Sequence, residues 1–456
     1  MHAMPAAART LVRPPPVRRG VRRLAIAACC AAIVVPAASA SLAAQGLTPE
    51  EQRIVAAVDA RTDAAITLLE RTVNVNSGTF NLEGVREVGR MFRAELDALG
   101  FATRWIPMDT VGRAGHLFAE RRGTGPVMVL IGHLDTVFEP DSPFQRWERV
   151  DRTTVRGPGT EDMKGGNVVM LLALQALEAA GALDGASVIV ALTGDEEDTG
   201  DPLDVARRDL IAAGRRATYA LGFEGATGEG RSAVVARRGF TGWVVRATAT
   251  PAHSSQIFRA DLGSGAVFEL VRVLHTFHDR LRGEQYLTFN PGIVAGGTDV
   301  EFDGDARATV YGKTNIIAEH ALAAGDLRTI SFAQRDSAKT RMRAIVAASL
   351  PHAASEITFR DSYPPMSPTD ANYALLARLS EVSRDLGFGP VDAVDPGARG
   401  AADVSFVAPH VTAALDGLGV IGSGGHTVEE TMQLPSVAMQ AKKAAVLIYR
   451  LSREGR

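Results

Sequence analysis

The chain has 456 residues, more than one average domain needs and enough for two. Hydrophobic residues make up 46% of it and charged residues 22%, so it can bury large cores and its composition is not that of a disordered protein. The formal net charge of −3 provides no electrostatic attraction to nucleic acid or to an anionic membrane. We therefore expect a small soluble partner and no nucleic-acid partner.

Residues 1–40 have the features of a secretory signal peptide. Arginines precede a short apolar run over residues 24–35, and Ala38-Ser39-Ala40 forms an A-x-A cleavage site. The run is shorter than the about 20 residues that span a bilayer. We predict cleavage after Ala40, with Ala44 as the alternative, and export to the periplasm or the medium by the Sec or the twin-arginine route. No membrane association is expected after cleavage.

Cysteine usage agrees with export. Cys29 and Cys30 are the only two cysteines, and both lie in the predicted signal peptide. The mature chain would have neither a disulfide nor a cysteine nucleophile. Lipidation of Cys29 stays open as an alternative, although the apolar segment before it is shorter than the roughly 7–15 residues of an ordinary signal.

Two helices are predicted at the start of the mature chain. Thr48 is a helix cap, Pro49 occupies the first helical position and Glu51 completes a capping box. Apolar periodicity continues through Leu69, and a second helix spans residues 82–99 before Gly100.

Strands and helices then alternate. Apolar runs predict strands over residues 127–131, 188–192 and 219–223, with a helix over residues 166–180 between the first two. This order indicates an α/β sheet with helices on both faces.

The pattern changes near residue 233. Half-buried strands are predicted over residues 242–249 and 308–311, helices over 263–281 and 333–349, and a strand over 356–359 before Pro364-Pro365. Helices over 372–385 and 436–451 follow. We therefore predict a first domain in two parts, residues 41–232 and 363–456, interrupted by a small α+β domain over residues 233–362.

Metal-ligand residue types follow the predicted strands, where sites in open α/β sheets lie. They are His133 and Asp135 after the first strand, Glu196 and Glu197 after the second, Glu224 after the third, and Asp162 in the glycine-rich loop 157–166. One such carboxylate is usually a helix cap or a solvated charge. Several together would repel by several kcal/mol unless cations neutralise them. Mixed imidazole and carboxylate ligands favour zinc, with cobalt or manganese as substitutes.

The motifs together resemble one metallopeptidase family. They are Gly132-His133-Leu134-Asp135-Thr136, Asp162-Met163-Lys164-Gly165-Gly166, Gly194-Asp195-Glu196-Glu197, Phe223-Glu224, Ala252-His253-Ser254-Ser255, Asp326-Leu327-Arg328 and Gly424-Gly425-His426-Thr427. The chain resembles the family of glutamate carboxypeptidase, aminoacylase, acetylornithine deacetylase and succinyl-diaminopimelate desuccinylase, and is most similar to the first. The resemblance implies an α/β fold, with a two-zinc exopeptidase-like catalytic domain and an inserted lid and dimerisation domain.

The resemblance also implies a role for each ligand-type residue. Two zinc ions per subunit would share Asp162, with His133 and Glu224 completing one site and Glu197 and His426 the other. Asp135 would hydrogen-bond the second ring nitrogen of His133. Glu196 would be the general base that takes a proton from a metal-bridging water and delivers it to the leaving nitrogen.

The inserted domain carries three further residues with implied roles. His253 would stabilise the oxyanion, usually from the partner subunit, so a homodimer is expected. Asn315 and Arg328 match positions that hold the substrate's carboxylate, which suits a guanidinium fork. Two departures concern substrate choice: Ala249-Thr250 replaces the usual Gly-Lys before the His253 motif, and residues 198–201 are unusually acidic.

Three functions are open at this point. The first is a carboxypeptidase or amidase that cleaves the amide next to an amino acid with a free carboxylate, and the second is an N-acyl amino acid deacylase. The third is an inactive member that serves as a binding protein, against which the intact Glu196 and ligand set argue. The other histidines of the mature chain are interpreted as surface or core residues; they are His116, His275, His278, His320, His352 and His410.

Overall fold

The computed structural model describes residues 46–454. The predicted signal peptide and both cysteines lie outside the described residues. Within residues 46–454, no helix combines the length and the apolarity needed to cross a membrane.

The long helices of this range agree closely with the sequence periodicity. The first begins after Thr48, whose side chain and that of Glu51 form the reciprocal capping box. The helices are Pro49–Val73 (α1), Leu82–Ala98 (α2), Lys164–Ala179 (α3), Leu203–Ala206 (α4), Arg208–Gly214 (α5), Gly265–Leu281 (α6), Phe332–Ala347 (α7), Asp370–Asp385 (α8), Val404–Val407 (α9) and Pro435–Leu451 (α10). The short helices α4, α5 and α9 were not predicted.

The strands form a large sheet, a second sheet and smaller ladders. In chain order they are Ala102–Met108 (β1), Arg113–Arg121 (β2), Val127–His133 (β3), Glu148–Arg149 (β4), Thr154–Arg156 (β5), Ser187–Thr193 (β6), Tyr219–Gly222 (β7), Ser232–Ala233 (β8), Gly239–Ala249 (β9), Thr288–Gly297 (β10), Asp299–Phe302 (β11), Ala308–Tyr311 (β12), His320–Thr329 (β13), Ala353–Asp361 (β14), Asp392–Ala393 (β15), Ala413–Leu415 (β16), Gly422–Ser423 (β17) and Thr431–Gln433 (β18).

The large sheet has six strands in the order β1-β2-β6-β3-β7-β16. Strands β6, β3, β7 and β16 are parallel, whereas β1 and β2 add an antiparallel edge. Alternate residues of β3 enter two different cores: Met128 and Leu130 pack with α1, α3 and α10, and Val129 and Ile131 pack with α5 and α9. Both faces are therefore covered by helices, as the near-continuous apolar strands require.

The second sheet has four antiparallel strands in the order β10-β13-β9-β14. Helices α6 and α7 cover one of its faces, where Trp243, Phe277 and Met342 are buried in a separate core. The chain enters this sheet at β9 and leaves it after β14, and the hairpin β11–β12 extends from β10. The predicted α+β region is thus a sheet with helices on one side.

Some strands have weak sequence signals. Strand β13 is central and buried although it is rich in Ala and Gly, which have low strand propensity. Strand β10 is an edge strand with Pro291 at an irregularity in its register. Strand β1 is also an edge strand and contains Pro107.

Candidate metal centre

The ligand-type residues meet at one edge of the six-stranded sheet. His133 is the last residue of β3, Glu196 and Glu197 follow β6, and Glu224 follows β7. Because these three strands are parallel neighbours, their carboxyl ends lie at the same edge. Asp162 reaches the same place from the loop before α3.

Two groups of ligand atoms share Asp162. In the first group, His133 Nε2 lies 3.0 Å from Asp162 Oδ1 and 3.7 Å from Glu224 Oε1. In the second group, His426 Nε2 lies 3.0 Å from Asp162 Oδ2 and 3.1 Å from Glu197 Oε2. The two oxygens of one carboxylate therefore face two different imidazoles, which is the arrangement of a bridging ligand.

The donor set fits two divalent cations. Each group offers one imidazole nitrogen and carboxylate oxygens from two residues, a mixture that suits zinc and related transition metals. Glu197 Oε1 is buried without a hydrogen-bond partner. Buried carboxylate oxygens usually have a partner, so this oxygen is suited to bind a cation. Burial, and then the charge of Asp162, raise the pKa of Glu224 to about 8. Cations would remove this cost of placing carboxylates together.

Asp135 connects the first ligand group to the segment that carries the glutamates. Its buried carboxylate accepts hydrogen bonds from the backbone N–H groups of Glu196 and Glu197, each at 3.1 Å, and from the Thr79 hydroxyl at 2.7 Å. Its Oδ1 lies 3.4 Å from His133 Nδ1, and its own backbone oxygen is nearer, at 3.0 Å. Both acceptors direct the other ring nitrogen of His133, Nε2, towards Asp162.

Glu430 holds the loop that carries Asp162. Its carboxylate is buried and accepts three backbone hydrogen bonds, from Gly159 at 3.1 Å, Glu161 at 2.7 Å and Asp162 at 3.1 Å. Burial raises the pKa of Glu430 to about 8, although these hydrogen bonds lower it. The sequence analysis missed this residue, because 268 positions separate it from Asp162.

His426 is held in a strained backbone conformation. Its φ of 64° lies in the left-handed region, which is uncommon for residues other than glycine and is concentrated at functional sites. Its side chain is 57% exposed, in contrast to 1% for His133. Hydrogen bonds to Asp162 and Glu197 raise the pKa of His426 to about 11.

A buried ion pair supports Glu224. Asp416 Oδ1 accepts from the Glu224 backbone N–H at 3.3 Å, and Arg237 Nε donates to Asp416 Oδ2 at 2.7 Å. Asp416 follows β16, the next parallel strand of the sheet. The strand-end pattern could have found it, but this strand has only three residues.

A cleft of about 950 Å³ contains Glu196, Glu197 and His426 together with residues of the second sheet. Burial raises the pKa of Glu196 well above its ordinary value; His133 lowers it, and the charge of Glu224 raises it further. Arg328 lines the cleft, with its guanidinium 4.5 Å from the centre of the Phe240 ring and 2.8 Å from Asp326.

His253 and Asn315 are not among the residues that line this cleft. Both are exposed, and they are neighbours: the Ser254 N–H donates to the Asn315 carbonyl, and His253 Nδ1 lies 2.8 Å from the Ser255 hydroxyl. One chain therefore brings Arg328 to the cleft but leaves His253 and Asn315 elsewhere.

The sequence profile of peptidase family M20/M25/M40 matches residues 129–450, which contain all five residues of the two ligand groups. The chain belongs to this family. Its members are metal-dependent enzymes that hydrolyse amide bonds, so the chain is an M20 metallopeptidase or amidohydrolase. This confirms the family resemblance and the fold class that the sequence predicted.

Individual relatives agree with this assignment. Carboxypeptidase G2 of Pseudomonas sp. (strain RS-16) is 26% identical over 395 residues, which cover 85% of this chain and 89% of that protein. The aminopeptidase PepT of Bacillus cereus has a TM-score of 0.66 at 17% identity, covering 86% of this chain and 99% of its own. The YXEP protein of Bacillus subtilis, a dinuclear metal-binding M20 peptidase, has a TM-score of 0.60 at 15% identity, covering 86% and 98%.

The remaining histidines lie outside the two ligand groups found among the described residues. His116 is a buried core residue: its Nε2 donates to the Ala206 carbonyl and its Nδ1 accepts from the Gly194 N–H. His275 and His278 lie on the exposed side of α6 beside Asp279. Their contacts are those of structural residues.

Proposed function

We propose that this M20 enzyme is a carboxypeptidase-type amidase that cleaves the amide bond next to an amino acid with a free carboxylate. The supporting observation is that one cleft is lined by Glu196, by Glu197 and His426 of the second ligand group, and by Arg328. An arginine fork at that position suits a carboxylate. The similarity to Carboxypeptidase G2 over 89% of that protein points in the same direction.

In this proposal the residues of the site divide the chemistry among them. Bound divalent cations, which we propose to be two zinc ions per subunit, would polarise the scissile carbonyl and activate water. Glu196 accepts the proton of the attacking water and passes it to the leaving nitrogen. Asp135 fixes the Glu196 backbone and the orientation of His133, and Arg328 holds the carboxylate that marks the amino acid to be released.

We also propose that the enzyme acts as a homodimer in which the partner supplies His253 and Asn315. Phe258, Phe268 and Val271 form an exposed apolar patch on the second sheet's side of the molecule, with Phe258 65% and Val271 54% exposed. A second copy of this chain is the natural cover for such a patch. His253 would then act as the oxyanion donor of the neighbouring site.

The chain would act after export, in the periplasm or the medium. The signal features of residues 1–40 support this proposal. N-terminal sequencing of the exported protein should begin at Ser41, and a protein that retains residues 1–40 would contradict it.

A substrate series tests the proposed activity. The purified holoenzyme is given dipeptides, N-acyl glutamates and other N-acyl amino acids, each with its carboxamide counterpart that lacks the free carboxylate. We expect kcat/KM to be at least about tenfold higher for the acid than for its carboxamide, because a hydrogen bond to a charged group contributes about 1.5–3 kcal/mol. Equal rates for acid and carboxamide would contradict the proposal. A preference confined to simple acyl groups would favour the deacylase alternative, and no hydrolysis at all would favour a binding protein.

A further inference from the structure

The backbone of Glu196 is held from both sides. Residues 195–200, here called the glutamate loop, carry Glu196 and Glu197. The N–H of Glu196 donates to Asp135 at 3.1 Å, and its carbonyl accepts from the Tyr363 hydroxyl at 2.8 Å. Asp135 belongs to the metal-binding edge, whereas Tyr363 lies 167 positions after Glu196 along the chain.

A buried arginine orients the Tyr363 hydroxyl. Arg207 is fully buried and donates to Asp195 at 2.5 Å and to Asp403 at 2.7 Å. Its Nη2 also donates to the Tyr363 oxygen at 3.2 Å. A guanidinium can only donate and a carbonyl can only accept, whereas the Thr199 hydroxyl, 2.9 Å from the Tyr363 oxygen, can do either. When Thr199 donates, the hydroxyl hydrogen of Tyr363 bonds the Glu196 carbonyl at 2.8 Å.

Tyr363 lies where the chain returns from the second sheet. Strand β14 ends at Asp361, and the Tyr363 carbonyl accepts from the Phe240 N–H at 2.9 Å, where β9 begins. The Phe240 ring in turn lies against the Arg328 guanidinium. Direct contacts therefore lead from Arg328 through the pair Phe240 and Tyr363 to the Glu196 backbone.

We propose that Tyr363 is a positioning residue that couples occupancy of the carboxylate end of the cleft to the orientation of Glu196. This inference rests on the proposed function. When a carboxylate fixes Arg328, the Phe240–Tyr363 pair is fixed with it, and the hydroxyl holds the Glu196 carbonyl so that its side chain faces the scissile bond. Without the hydroxyl, the substrate still binds but Glu196 is less often in place.

Tyr363→Phe tests the positioning role, since it removes only the hydroxyl and keeps the ring against Phe406. We expect kcat to fall about tenfold, with KM changed less than threefold and metal content and Tm unchanged. The matched control is Tyr219→Phe, which removes a hydroxyl that binds Glu454 and should leave kcat unaltered. A Tyr363→Phe enzyme with kcat within twofold of wild type would overturn the proposal, as would a loss of metal that accounts for the lost activity.

A second substitution keeps the proposal testable if the Tyr363→Phe variant does not fold. Thr199→Val removes the other hydroxyl that contacts the Tyr363 oxygen, at 2.9 Å, and should lower kcat in the same direction by a smaller factor. Unchanged kcat in this variant, should Tyr363→Phe not fold, would overturn the proposal.

The coupling itself is measured by a double-mutant cycle of Tyr363→Phe with Arg328→Lys. If the two substitutions acted independently, kcat/KM of the double variant would fall by the product of the two single factors. We expect it to fall by a factor at least about threefold smaller than that product, because each variant interrupts the same chain of contacts. Multiplicative losses would overturn the coupling. Two references separate this inference from the proposed function. Equal rates on the acid and its carboxamide would refute the proposed function, and near-normal turnover in Glu196→Gln would refute the general-base role on which this inference rests. An inactive Glu196→Gln beside a normal Tyr363→Phe, with the preference for the free carboxylate intact, refutes this inference alone.

Discussion

The metal-binding edge of the large sheet and the second sheet hold their functional residues in different ways. His133 and Asp135 are almost fully buried, and the buried carboxylates of Glu430 and Asp416 hold the backbones of the ligands Asp162 and Glu224. The exposed His253 lies in a turn after β9, where its ring bonds the Ser255 hydroxyl, and the Arg328 side chain in β13 is 34% exposed. One region is fixed in detail, and the other is free to meet a substrate or a second chain.

This difference follows from the chemistry that each region would perform. Carboxylates gathered around cations need ligand positions that are fixed and shielded from water, because the attraction that offsets their repulsion depends on short distances and a low dielectric. A residue that closes over a substrate must instead move between two positions, so it lies on a surface with few fixed contacts. We therefore expect substitutions at the edge to affect metal binding, and substitutions in the inserted region to leave the metals in place and to affect substrate binding, assembly or the groups that a partner chain supplies to catalysis.

The largest effect is expected from loss of the shared ligand. Among residues 46–454, Asp162 is the carboxylate that both ligand groups share, so in Asp162→Ala both ions should be lost and activity should fall to background. Chelation of the wild-type enzyme should do the same, and added zinc should restore activity to the wild type alone. Metal analysis and turnover are measured together, with Asp151→Asn as the control in an exposed turn. Full activity with one ion or none would contradict a two-metal centre.

Glu196→Gln should separate chemistry from metal binding. The amide is isosteric with the carboxylate but cannot take a proton, so kcat should fall roughly 10²–10⁴-fold, the usual contribution of a general base. Both ions and Tm should be retained, since Glu196 belongs to neither ligand group. The neighbouring Glu197→Gln is the comparison, because it should instead lower the affinity for one of the two ions. Near-normal turnover in Glu196→Gln would assign the proton transfer to another group.

His253→Ala should lower kcat by about 10²–10³, the contribution of an oxyanion donor, without loss of metal. If the partner supplies this side chain, mixing His253→Ala subunits with Glu196→Gln subunits creates dimers in which one site is intact. Random exchange should restore about a quarter of wild-type activity by counting symmetric dimers. No recovery after verified exchange would place His253 in its own subunit's site or outside catalysis, and a fully active monomer would refute the shared site.

The ligand-type residues could be predicted from the sequence because of a local rule. Apolar strands such as residues 127–131 were recognisable by composition, and their carboxyl ends had to meet once the strands were parallel neighbours. Asp162 and His426 lie in loops instead. The sequence marked Asp162 as a ligand type in a glycine-rich loop, whereas only the family resemblance assigned His426 and the sharing of Asp162 by two metals. The structure brings the five together, but which of them bind metal stays a prediction.

The supporting residues could not be predicted in this way. Glu430 and Tyr363 contact the site from 268 and 167 positions away along the chain, and no local pattern specifies such a pairing. Asp416 follows a parallel strand as the ligands do, but that strand has only three residues, too few to be recognised by composition. Strands β10 and β13 were missed for a different reason: a bulge with Pro291 interrupts one, and Ala and Gly dominate the other. The burial of β13 against α6 and α7 overrides its weak propensity, whereas the exposed edge strand β10 is held by its ladder to β13.

The smallest expected effect distinguishes two arginines of the same cleft. Arg328 and Arg360 both line it, but Arg328 lies against the Phe240 ring, whereas Arg360 is 75% exposed and pairs with Asp201 at 3.2 Å. Arg328→Lys keeps the charge but loses the two-pronged hydrogen bonding to a carboxylate and the stacking. The loss of a charged hydrogen bond, about 1.5–3 kcal/mol, should raise KM roughly 10–100-fold, with a smaller change in kcat.

Arg360→Lys is the matched control, and its KM should change less than about threefold, since an exposed ion pair contributes about 0–1 kcal/mol. KM is measured for both variants on a substrate with a free carboxylate and on its carboxamide counterpart. The Arg328→Lys effect should disappear on the carboxamide, because that compound never formed the lost interaction. An equal rise in KM on both compounds would mean that Arg328 shapes the cleft but does not bind the substrate's carboxylate. A larger rise in KM for Arg360→Lys than for Arg328→Lys would assign the carboxylate contact to the exposed Arg360.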